Sequence, residues 1–162
     1  MIRRSAAFLL LISLFCTLVA LLLSCAEGRS ARALMEEFCS AYGIARAVYS
    51  PEVREGEAGY VKDGFFDQLY GEGEERISDF AVVLLSDTAH LSECGVFICY
   101  TDYDAIQVTD MLHRRIKLIR EVGAASGLAI PEGAFVYREG RRVVMCALPD
   151  EASARRLWRE IL

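Results

Sequence analysis

The sequence predicts an α+β fold. It reads as a two-layer sandwich whose four-stranded antiparallel sheet comes from tandem strand-strand-helix units, behind an N-terminal signal or transmembrane helix. Three observations carry this. Two continuous apolar runs, FAVVLL at 80–85 and GVFICY at 95–100, precede a segment of helical period. The same grammar returns with AFVY at 134–137, RVVMCAL at 142–148 and a last periodic stretch to Leu162. Finally, residues 6–23 are uncharged and mostly apolar behind Arg3 and Arg4.

The N-terminal segment, residues 1–25, reads as an export or anchoring signal. Its 18 uncharged residues exceed the roughly 7 to 15 of a signal-peptide core and approach the roughly 17 to 25 of a spanning helix. Arg3 and Arg4 favour a cytoplasmic N-terminus, so the body is expected on the extracytoplasmic side. Leu22-Leu23-Ser24-Cys25 resembles a bacterial lipobox, and Cys25 is read as the lipidation site, although Leu23 is larger than usual at its position. The alternative is an uncleaved helix ending at Cys25. Either way the membrane is a partner through this segment.

Residues 26–63 read as a helix followed by a flexible linker. Ser30 can cap a helix whose apolar positions include Leu34, Phe38 and Tyr42, and Pro51, Gly56, Gly59 and Gly64 then interrupt all periodicity. The domain proper is expected at 64–162, opening with a short helical piece at 65–70. The polar connection SDTAHLSEC makes strands 80–85 and 95–100 antiparallel neighbours. Thr101 and Asp104 have capping-box spacing, and Ala105, Val108, Leu112, Ile116 and Ile119 form one apolar stripe of the helix that follows. A tight turn at Gly140 joins the next two strands, and Ala154, Leu157, Trp158 and Ile161 face inward from the last helix.

Charge narrows the partners. The N-terminal 25 residues take two of the 18 basic residues and none of the 23 acidic ones, which leaves the remainder at net −7. Such a body lacks the Lys and Arg clusters that nucleic acid or anionic headgroups reward, so nucleic acid is excluded as a partner. The densest basic block is HRRIKLIR, and His113, Arg114, Lys117 and Arg120 are the candidate interaction surface toward an envelope protein or glycan. A groove lined by aromatics such as Tyr100, Tyr103 and Tyr137 is a third candidate, for binding peptide or glycan.

No cysteine pair has zinc-knuckle spacing, so neither a metal nor another cofactor is expected. Cys99 and Cys146 occupy matching places in the two units and form the candidate disulfide, permitted outside the membrane; the apolar runs around them favour buried thiols. His90 and His113 are the only histidines and stand in no nucleophile motif. A non-enzymatic tethered module is therefore the leading expectation. An exported hydrolase or thiol enzyme using His90, Cys94 or His113 is the alternative.

The succession YGEGEERISDFAVVLLSD, CGVFICYTDYDAIQVTDMLHRRI and EGAFVYREGRRVVMCALPDEASARRLW resembles the clostridial lipoprotein-like domain of unknown function family number 4358. The pattern positions are Tyr70, strand 80–85, Thr101 to Asp104, Arg114 or Arg115, and strand 142–147, within residues 64–162. The resemblance implies a Firmicutes lipoprotein with no catalytic residues to carry over. It also implies a neighbourhood of membrane-bound O-acyltransferases, and hence a link to cell-surface glycan acylation.

Overall fold

The computed structural model describes residues 28–85, 91–128 and 131–162. Helix α1 (Ala31–Tyr42) starts where the Ser30 hydroxyl accepts the Ala33 N–H at 3.3 Å, and it ends at Gly43 in the left-handed region. There follow strand β1 (Val48–Tyr49), helix α2 (Phe65–Tyr70), a 3-10 turn (Glu74–Arg76), β2 (Ile77–Leu84) and β3 (Glu93–Cys99). The chain continues with α3 (Asp102–Ser126), β4 (Phe135–Glu139), β5 (Arg142–Ala147) and α4 (Glu151–Ile161). Thr101 caps α3 as its spacing predicts, with its hydroxyl oxygen accepting the Asp104 N–H at 3.1 Å.

The sheet is antiparallel throughout, in the order β1-β2-β3-β5-β4. The expectation of four strands thus falls one short. β1 is only two residues long and leads into a glycine-rich loop, with no strand-length apolar run to announce it. That loop closes tightly against β1. A side chain on Gly59 would sit 2.1 Å from the Val48 carbonyl oxygen, and its φ of 95° suits glycine alone.

The two-layer expectation is also corrected. Side chains alternate along each strand, and both faces of this sheet are covered. Ala81, Val83, Cys94, Val96, Val144 and Cys146 pack beneath α1 and α4, while Phe80, Val82, Phe97, Cys99, Val143 and Met145 pack beneath α2 and α3. Helices therefore sit on both sides, in three layers. The physical reason lies in the strands: a run apolar at every position has no face to give to water. The two strand-strand-helix units do follow one another, but their helices cover opposite faces.

Nor does the expected boundary at residue 64 separate a linker from the domain. Leu34, Met35 and Phe38 of α1 are fully buried, and the Phe38 ring stacks on Trp158 of α4 at 4.4 Å. On the opposite face Phe97 lies directly over Gly95, where an added Cβ would meet its ring at 2.8 Å. No helix among the described residues is long and apolar enough to cross a membrane. The expected N-terminal helix and Cys25 lie outside those residues.

If α1 is part of one cooperative unit, Phe38→Ala should cost about 3–5 kcal/mol, seen as a lower urea midpoint at unchanged slope. A loss below about 0.5 kcal/mol would place the helix outside the fold.

Candidate functional site

The most distinctive polar feature is a charge pair taken out of water. Glu93 opens β3 and is 4% exposed. Strand alternation turns its side chain toward α3, where Arg115 meets it with both ends of the guanidinium: Nε donates at 3.1 Å and Nη2 at 2.6 Å. Burial would lower the Arg115 pKa, but the hydrogen bonds and charge of Glu93 outweigh it and raise the value. Tyr70, the last residue of α2, lies beside them with the Arg115 Cζ 5.7 Å from its ring centre. Its hydroxyl is buried and has no hydrogen-bond partner among the described residues. Burial first, and the neighbouring Glu93 carboxylate second, hold that phenol well above its ordinary range.

This pair forms the floor of a cavity of about 110 Å³ lined by Leu91, Ser92, Leu118, Ile119 and Val122. The lip is apolar and open to solvent. Leu118 is 47% and Val122 45% exposed, although both are large hydrophobic residues. Arg115, Leu118 and Val122 recur at three and four residues, which makes them a second stripe of α3 beside the one that covers the sheet. The cavity is somewhat smaller than the roughly 150 Å³ sites that admit benzene, so it suits a short alkyl or acyl group.

A larger polar cavity of about 390 Å³ is lined by Arg29, Glu139, Arg141 and Arg142. Its guanidiniums are committed elsewhere: Arg141 donates to the Tyr100 carbonyl and Arg142 to the Leu162 carbonyl, each at 3.2 Å.

The expected basic surface is exposed as a face of α3. Lys117 lies 3.7 Å from Glu121, and Arg120 donates to the Glu132 carbonyl at 3.2 Å. Arg114 lines a polar hollow with Glu72 and Glu75, and His113 faces solvent. The residue that turns inward is Arg115, a neighbour that the surface reading left aside. Glu93 was missed altogether, because it reads as the tail of a polar connection. Its only signal is a lone acid directly preceding an apolar run. Tyr100 and Tyr103 are exposed, and together with Tyr137 they line none of the cavities described above.

A Cys99–Cys146 disulfide is contradicted. Cys99 faces α2 and α3 whereas Cys146 faces α1 and α4, so the sheet itself separates them. Matching places in two units do not give matching faces, because a one-residue offset reverses a strand side chain. All four described cysteines are free thiols in the core. Burial pushes Cys39 up to about 12 and Cys99 up to about 11. Cys94 and His113 lie on opposite sides of the sheet and cannot act as a catalytic pair, and His90 lies outside the described residues. Among the described residues no three metal-ligating side chains gather.

No family model, curated protein or solved structure matches the chain.

Two outcomes follow. Glu93→Leu strands Arg115 and should cost about 3–5 kcal/mol, whereas adding Arg115→Met should restore part of that loss. A double variant less stable than the single would show that the pair is not the source of the cost. Because the folded thiol values lie above the ordinary 9, stability should fall as pH rises above 9, up to about pH 11 for Cys99 and about pH 12 for Cys39, by at most about 1.4 kcal/mol per pH unit each. Urea midpoints between pH 8 and 10.5 should then decline less steeply in Cys39→Ala/Cys99→Ala, and an unchanged decline would contradict the assignment.

Proposed function

We propose that this chain is a non-enzymatic binding module, tethered by its N-terminal segment to the outer face of the cytoplasmic membrane, that holds acyl-bearing glycan of the cell envelope. The observation that carries the reading is the solvent-open cavity along the C-terminal half of α3, with the exposed Leu118 and Val122 beside the Glu93–Arg115 pair. A small, mostly apolar volume favours a short hydrocarbon group over a whole sugar. Ser92 in the lining supplies one hydroxyl for an ester or sugar oxygen. The sequence supplies the rest of the reading: the lipobox-like Cys25, and the resemblance to a clostridial lipoprotein-like family that implies proximity to O-acyl transfer. Each methylene buried contributes about 0.8 kcal/mol, or roughly fourfold in affinity, until the group outgrows the cavity.

Titration with O-acetyl, O-propionyl and O-butyryl N-acetylglucosamine, followed by amide NMR shifts, tests the ligand. Shifts at Leu118, Ile119 and Val122 should grow with acyl length and vanish in Leu118→Asp. Equal response to unacylated sugar, or none to any, would refute acyl recognition. Intact mass of the membrane-extracted protein tests the tether separately: a chain beginning at diacylated Cys25 or one retaining Met1 is expected, and a soluble cytoplasmic product would remove the localisation.

A further inference from the structure

We propose that Cys94 and Cys146 are a disulfide-forming pair, a modification site in the core on the side of the sheet away from the cavity. The two residues are direct partners in the β3–β5 ladder, whose register runs without a shift from Glu93–Ala147 to Ile98–Arg142. The phase of that ladder is fixed by the next rung, where the Cys99 N–H donates to the Arg141 carbonyl at 2.9 Å. Hydrogen-bonded rungs in an antiparallel pair alternate with non-hydrogen-bonded ones. Counting back from 99/141, the bonded rungs are 97/143, 95/145 and 93/147, so 94/146 is non-bonded. Such rungs bring Cα atoms to about 4.5 Å with side chains close together. That falls inside the roughly 4.4–6.8 Å window of a disulfide.

The remaining geometry agrees. Both side chains point under α1 and α4, both are shielded from solvent at 0% and 1% exposure, and the Cys146 thiol is close enough to perturb that of Cys94. Trp158 belongs to the same buried cluster as both thiols and is itself fully buried. Cys39 belongs to the same cluster but comes from a helix across the layer, and Cys99 is on the far face. Neither shares a rung with another cysteine.

The chemistry is a two-electron exchange with a small disulfide such as glutathione disulfide. Two S–H bonds break and one S–S bond forms between Cys94 and Cys146, while the two protons and two electrons reduce the external disulfide to two thiols. Attack requires a thiolate, and burial withholds that form in the finished fold. The bridge therefore closes during folding, once β3 and β5 pair but before α1 and α4 cover them, and is protected afterwards.

Full-length protein can be reduced and unfolded, refolded from denaturant with glutathione disulfide, alkylated and digested with trypsin. The expected product has lost two hydrogens and links the peptide carrying Cys94 to that carrying Cys146. Because Cys99 shares the former peptide, variants assign the bond: it should persist in Cys99→Ser and Cys39→Ser and disappear in Cys94→Ser. Dithiothreitol should open it in denaturant and leave it intact in native buffer. No bridge in the refolded protein, a bridge lost in Cys99→Ser, one that survives in Cys94→Ser, or one reduced as fast in native buffer as in denaturant would each overturn the proposal.

Discussion

Strand β3 is hydrogen-bonded along both edges, to β2 and β5, and covered on both faces, by α1 with α4 and by α2 with α3. Its backbone groups are paired within the ladder, and its apolar side chains are buried except for the half-buried Ile98 at its end. Everything else in the structure is arranged by that requirement. A sheet whose central strands are apolar on both faces over most of their length is stable only if two helical layers form. This draws α1 into the core on one side and holds the 25-residue α3 against the other.

The same strand places the two features of chemical interest. Glu93 and Cys94 are consecutive, so strand alternation sends the carboxylate toward Arg115 and the thiol toward Cys146 on the opposite face. The buried ion pair ties the middle of α3 to β3 and lines the cavity together with Leu118 and Val122. Replaced by apolar groups, such a pair often leaves a fold no less stable. Its distinctive contribution here is a polar patch in the lining of an otherwise largely apolar cavity.

Much of this was legible in the chain. The caps at Ser30 and Thr101, the glycine turn at Gly140, the periods of α1, α3 and α4 and the runs that became β2, β3 and β5 are local signals with local causes. What escaped depends on partners distant in sequence. β1 exists because β2 has a free edge for Val48 and Tyr49, not because two residues announce a strand. The face of each cysteine follows from its register, and the rung that pairs Cys94 with Cys146 leaves Cys99 on the other side. Arg115 looks like its neighbours Arg114 and Lys117 until the helix is docked, and Glu93 acquires a partner only then. The two-sided burial was nevertheless written in FAVVLL and GVFICY, which offer no alternating polar face.

Native-state hydrogen exchange measures the central claim directly, since it reports the opening free energy of each amide. The amides of Val96 and Phe97 in β3, Phe38 in α1 and Leu112 in α3 should exchange through one shared opening at the free energy of global unfolding. Exchange of Phe38 or Leu112 through a separate, lower-energy opening while Val96 and Phe97 stay protected would mean that β3 does not need both layers.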